Sequence, residues 1–182
     1  KTLARRMVTE YKEKGSLPDE PPSLKNGDII VFGVPESDTA SKALIDFIEH
    51  GKSQDSYIAI HAYVKPDSET FKALQKFRIK LRNRFGMATT LGYGPRFLHS
   101  TGQLHKGDAG TGLFIQVTSG NIHYVSIPDE AGKTASSISF GVLKMAQALG
   151  DREALRNAGR RVMRFHMVRD VVAGLNRLSR SI

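Results

Sequence analysis

The 182-residue chain contains no cysteine, which removes disulfides, thiolate metal sites and cysteine nucleophiles together and suits a reducing cytosol. It has no apolar run of bilayer-spanning length and no charged-then-apolar secretion signal at its start, so a soluble cytoplasmic protein with no membrane partner is expected. Nucleotide signatures are missing too. Gly33-Val-Pro-Glu-Ser-Asp-Thr39 has neither the G-x-G-x-x-G spacing nor a P-loop Gly-Lys-Ser/Thr. His61, His99, His105 and His123 show no H-E-x-x-H pattern and have no paired carboxylates nearby, while His50 and His166 lack supporting neighbours. No metal site is therefore expected. Ser100 is not in a G-x-S-x-G elbow, which argues against a serine hydrolase. The first residue is Lys1 rather than methionine, and a piece of a longer polypeptide is the expectation.

What the chain does have is positive charge. A formal net charge of +9 and an isoelectric point near 9.9 favour anionic partners, either phosphorylated metabolites or nucleic acid. One cluster is Lys72, Lys76, Arg78, Lys80, Arg82 and Arg84; the other is Arg152, Arg156, Arg160, Arg161, Arg164, Arg169, Arg177 and Arg180. Both read first as solvated helix faces. No helix-turn-helix, RNA-binding aromatic motif or zinc finger accompanies them, so nucleic acid ranks last among the partners.

Periodicity organises the rest. Residues 1 to 14 read as a helix ended by Gly15, and Ser16 to Asn26, with Pro18, Pro21 and Pro22, as a linker; together residues 1–27 form an N-terminal appendage to a domain over 28–182. Asp28 to Val34 is a short apolar run of the kind buried on both faces of a sheet. A helix follows, started near Ser37, Asp38 or Thr39 and stopped at Gly51. Ser56–Val64 is a second strand, Asp67 or Ser68 caps a second amphipathic helix, and Met87–Leu91 is a third strand. Gly112–Thr118 is a fourth, with Asn121–Ile127 pairing beside it as an edge or hairpin. Ile138–Leu149 reads as a helix, and Val162–Val168 as a last strand before an arginine-rich terminal helix. Strands alternating with helices of this length imply right-handed crossovers and an α/β fold: a three-layer α/β/α sandwich around a mostly parallel sheet.

The segment from Tyr93 to Asp108 carries the chemistry. Within one short connection it gathers His99, Ser100, Thr101, Gln103, Lys106 and several glycines, the inventory of a site for a hydroxylated or anionic ligand. It follows a predicted strand, where ligands of such folds collect. Taken alone, His99 stands equally well as a loop histidine held by backbone hydrogen bonds. His61, inside an apolar strand, reads as a hydrogen-bonded core histidine.

Leu98-His-Ser-Thr-Gly-Gln103 resembles the Leu-His-Ser-x-Gly-Gln segment of bacterial phosphoglucose isomerases, and the longer string Ala88 to Gly107 looks more like the isomerase half of bifunctional transaldolase/phosphoglucose isomerase fusions. Gly112–Gln116, Phe140–Asp151 and Gly159–Arg164 extend the resemblance over most of residues 28 to 167. It implies the C-terminal sugar-isomerase (SIS) subdomain, flavodoxin-like, of an enzyme that interconverts glucose 6-phosphate and fructose 6-phosphate without metal or redox cofactor. By resemblance His99 is the catalytic histidine, exchanging a proton with the ring oxygen, and Gln103 takes the family glutamine position. Ser100, Thr101 and Lys106 are assigned to hydroxyl or phosphate contact. Two departures stand out: Arg82 to Thr90 contains no acid where the family carries its proton-shuttling glutamate, and Arg160 and Arg161 stand where a C-terminal lysine is usual. The implied partners are the sugar phosphate and the rest of a parent polypeptide holding the first SIS subdomain and a transaldolase domain. A sugar-phosphate-binding regulatory module without catalysis is the alternative.

Overall fold

The computed structural model describes residues 2–18, 20–33, 37–120 and 125–182. Its chain runs α1 (Thr2–Lys14), β1 (Leu24–Asn26), β2 (Ile29–Phe32), α2 (Ala40–Gly51), β3 (Tyr57–Tyr63), α3 (Ser68–Phe85), β4 (Ala88–Tyr93), α4 (Thr101–Gly107), β5 (Gly112–Ser119), β6 (Ser126–Ile127), β7 (Ile138–Ser139), α5 (Phe140–Asn157), β8 (Arg161–Met167) and α6 (Val171–Leu178). Caps set the helix starts where polar side chains reach back to the first turn: Thr39 accepts from the Lys42 amide, Asp67 from Thr70, Ser139 from Val142 and Asp170 from Ala173. Gly86, left-handed at φ 65°, closes α3.

Six strands form one sheet in the order β1-β2-β8-β5-β3-β4, and β8, β5, β3 and β4 are mutually parallel. Helices cover both faces, so the three-layer α/β/α sandwich with a mostly parallel sheet is the fold. One face is apolar throughout. Ile58, Ile60, Leu113, Ile115, Val117, Met163 and Phe165 meet Leu44 and Ile48 of α2, Leu74, Phe77 and Leu81 of α3, and Leu175 and Leu178 of α6. Each such side chain, removed from water, contributes roughly 1.5–3 kcal/mol.

The opposite face is different in kind. The alternation that sends Ile58 and Ile60 one way sends Ala59, His61 and Tyr63 the other. The strand register sets His61 beside Gln116 and Gln116 beside Arg164, a polar row across the middle of the sheet. All three are buried beneath α5, where the Gln116 side-chain amide donates to the Ala148 carbonyl at 2.9 Å. Helix α1 packs on the outer side of α5, closely enough that a Cβ on Gly150 would lie 2.9 Å from the Ala4 backbone nitrogen.

Several expectations change. β2 runs antiparallel to β8, because Leu24–Asn26, inside the segment read as a linker, is a strand that turns into β2 through Gly27 (φ 63°) and Asp28. A short apolar run encodes burial but not direction. Helix α5 continues past Leu149 to Asn157, since Gly150 serves the approach of α1 rather than a helix stop. Ser126–Ile127 pairs with Ile138–Ser139 in a separate two-stranded ribbon instead of beside β5. Val34, the 121–124 part of the expected edge strand, and with it His123, lie outside the described residues. Among the described residues no helix is long and apolar enough to cross a membrane.

Candidate functional site around His99 and Asp151

The connection after β4 is helical rather than open. Phe97 drives it: its buried ring packs 4.4 Å from the His61 ring and 6.0 Å from that of Tyr63, centroid to centroid, and pulls Arg96–His99 into a 3-10 turn over the end of β3. Helix α4 starts immediately after. Gly94 is required for this approach, because any Cβ there would run into the Tyr63 ring, and Gly102 lies against the Phe97 carbonyl. The glycines that read as loop signals are thus packing positions.

The turn and α4 direct His99, Gln103 and Lys106 into one cavity of about 510 Å³ that is also bordered by Leu3 of α1 and by Gln147 and Asp151 of α5. Gln103 and Lys106 share a helix face by their three-residue spacing. Ser100 and Thr101 do not border this cavity: the Ser100 hydroxyl donates to the Phe97 carbonyl at 3.2 Å, and Thr101 is exposed. Three of the five expected site residues are therefore brought together, and two are not. Among the described residues no cluster of three or more histidine, aspartate or glutamate side chains could hold a metal ion.

Asp151 is the member sequence reasoning missed. Its side chain is 1 % exposed, yet Lys106 Nζ donates to Oδ1 at 2.6 Å and the Tyr63 hydroxyl donates to Oδ2 at 3.2 Å. His61 Nδ1 stands 3.5 Å from the same Oδ2, and His61 Nε2 lies 2.9 Å from His105 Nδ1. Burial pushes the Asp151 carboxyl up, but His61 and Lys106 outweigh it and hold the group below its usual range. Burial beside that charge raises the Tyr63 phenol far above its ordinary value. For His105, burial and then the neighbouring His61 lower the imidazole to about 4, so it is neutral at physiological pH. The result is a buried polar row, His105, His61, Asp151 and Lys106, in which His61 Nδ1 makes no hydrogen bond to Asp151 and which ends in an ammonium group at the cavity wall. The available signal in the sequence was weak: Gln147 and Asp151 sit four apart on α5, on a face otherwise rich in alanine and glycine.

The outer end of α4 is fixed separately. Arg160 donates to the Lys106 and Asp108 carbonyls at 2.9 and 2.6 Å and pairs through Nε with Asp108 Oδ1 at 2.9 Å, while the Tyr57 hydroxyl donates to Asp108 Oδ2 at 2.6 Å. The second arginine cluster is a solvated face only in part: Arg156, Arg161, Arg169, Arg177 and Arg180 are exposed. Arg152 and Arg164 are buried, and with Arg156 they converge on the single carboxylate of Glu20. The first cluster does lie along α3, but Lys80 and Arg84 bend to the carbonyls of Ser179 and Ser181 and hold the C-terminal turn.

Neither a scan against protein-family models nor a search of curated proteins finds a match. Among solved structures, the chain is similar to hypothetical protein TT0462 from Thermus thermophilus, with a TM-score of 0.62 at 17% identity over 78% of the chain. The likeness shows the fold alone. The chain spans 37% of the length of that protein.

Proposed function

We propose that the chain is the C-terminal SIS subdomain of a glucose-6-phosphate isomerase, an aldose–ketose isomerase of the cytoplasm, working as part of a transaldolase/phosphoglucose isomerase fusion. The observation that carries this reading is the convergence of His99, Gln103 and Lys106, all from the motif that resembles phosphoglucose isomerases, on one cavity backed by an ionised carboxylate. His99, exposed at the cavity rim, exchanges a proton with the sugar ring oxygen as the ring opens. Gln103, whose amide also donates to the Leu98 carbonyl at 3.2 Å, and Lys106 bind sugar hydroxyls and developing negative charge. Asp151 orients Lys106. With both of its oxygens engaged it is not the base that moves the C1–C2 proton, and the phosphate cradle comes from the first SIS subdomain of the parent polypeptide.

The same engagement of Asp151 favours a second reading, a sugar-phosphate-binding regulatory module without turnover. A coupled assay on the parent polypeptide separates them. Under the first reading it converts fructose 6-phosphate to glucose 6-phosphate, and His99→Ala slows turnover of the cyclic sugar by about 10²-fold or more. Full activity in that variant refutes the role of His99. Calorimetric binding of the sugar phosphate with no turnover establishes the regulatory module instead.

A further inference from the structure

From Thr70 to Gly107 the chain carries no aspartate or glutamate, and the basic residues of that stretch flank an open edge of the sheet. β4 ends the strand order, and among the described residues no strand pairs with its outer side. Proteins commonly blunt such an edge with charge or proline on the strand itself. β4 has neither. Ala88-Thr-Thr-Leu-Gly-Tyr93 is uncharged, Ala88 and Thr90 are exposed, and its six residues make an ordinary strand length for pairing.

The charge lies alongside instead. Phe71, Gln75, Arg78 and Arg82 recur at three- and four-residue spacing on α3, and Arg78 Nη1 donates to the Thr89 carbonyl at 3.4 Å, which sets that stripe along β4. Arg96 stands just beyond the strand, its guanidinium 5.9 Å from the centre of the Tyr93 ring. The side-chain partners of Arg78 and Arg82 are neutral: Arg78 Nε donates to the Gln75 amide oxygen and Arg82 to that of Asn83. Of the acids just before this stretch, Asp67 is taken up in capping α3, and Glu69 shares a flank of the helix with Lys76 and Lys80 rather than with the stripe. Phe71, 47 % exposed, adds apolar surface to it.

Charge then decides what can pair with the edge. A second copy docked across a twofold axis would set these arginines against their own likes. Nucleic acid would meet the cations but leave the strand amides and carbonyls unpaired. An extended acidic peptide answers both. We infer that β4 is a docking edge for an acidic, extended peptide segment, which adds as an outer strand and places alternate carboxylates on the α3 side, against Arg78 and Arg82. No β4 residue borders the His99 cavity, and the inference does not depend on the isomerase reading.

The test is a ¹H–¹⁵N titration of the 182-residue chain with a short, end-blocked peptide that alternates glutamate with valine. Saturable shifts centred on Thr89 to Tyr93 are expected, with slower hydrogen exchange along β4. A peptide with proline in place of valine keeps the charge but loses those amide donors, and should bind at least about tenfold more weakly. Arg82→Glu/Arg96→Glu, both at exposed positions, should weaken the glutamate peptide by about tenfold or more and tighten binding of its lysine counterpart. Lys25→Ala, on β1 at the opposite edge of the sheet, should leave both unchanged. No saturable binding at roughly 1 mM peptide, or shifts centred away from β4, overturns the docking edge. Equal binding of the proline peptide overturns strand addition and leaves charge alone. Tighter binding of oligothymidylate at the same residues makes nucleic acid the occupant, and concentration-dependent β4 shifts without peptide make it a second copy; either result overturns the peptide.

Discussion

Replacing Asp151 by asparagine tests whether an ionised carboxylate organises the third layer. The side chain keeps its volume but loses its charge, leaving the Lys106 ammonium, the Tyr63 hydroxyl and the His61 imidazole facing a neutral amide. Breaking a fully buried ion pair costs about 3–5 kcal/mol, but Lys106 retains 24 % of its side-chain exposure and can turn toward water. The expected loss is therefore smaller, ~2–3 kcal/mol. For a chain of this length that lowers the melting temperature by roughly 4–12 °C, readable by circular dichroism and checked by urea denaturation. The double-mutant cycle with Lys106→Met should return a coupling of about 1–3 kcal/mol. The pH dependence follows from the lowered carboxyl pKa. Its stabilisation is fully present above the unfolded-state value of about 3.9 and is lost as the pH falls through the lower folded value, so wild type and variant converge only in strong acid. A variant within about 0.5 kcal/mol of wild type near neutral pH would falsify the assignment of Asp151 as the holder of Lys106.

Acid should act in an earlier step as well. The His105 and His166 imidazoles are both lowered to about 4, chiefly by burial, and in the unfolded chain they take up protons near 6.5. Stability should accordingly decline between about pH 6.5 and 4, and His105→Asn should flatten that decline by ~2 kcal/mol in urea titrations across the window; an unchanged slope refutes the buried neutral imidazole. Gly94→Ala forces a methyl group into the Tyr63 ring and should cost about 1–3 kcal/mol, with loss of near-ultraviolet tyrosine signal. Wild-type stability in that variant would show that the turn does not depend on the close approach.

The fold was legible because burial and capping are local. Thr39 and Asp67 mark helix starts by chemistry that needs no tertiary information, and Ile58 to Ala62 shows in its composition that it lies inside a sheet. Strand direction was not legible, since β2 reads the same parallel or antiparallel and only the short partner β1 decides it. The site was half legible. His99, Gln103 and Lys106 lie close in sequence, so a motif could gather them, whereas Asp151 reaches the same cavity from α5 and Tyr63 meets Asp151 from β3, and nothing local ties either to it. Two of the arginines were misread for a related reason: Arg152 and Arg164 look solvated in a basic stretch until a distant Glu20 is seen to pair with both beneath the surface.

The contrast between the two faces of the sheet sets how the protein can change over evolutionary time. Beneath α2, α3 and α6 the packing asks only for hydrophobic residues of about the right size, and volume-conserving exchanges there should be cheap and frequent. Between the sheet and α5, His61 pairs with His105, Asp151 with Lys106 and Tyr63, and Arg164 with Glu20, so a change at one of these leaves a buried polar partner behind and substitutions there should be coupled. One half of the molecule is thus free to drift while the other is bound to co-vary, and a set of diverged relatives should show its correlated positions concentrated under α5.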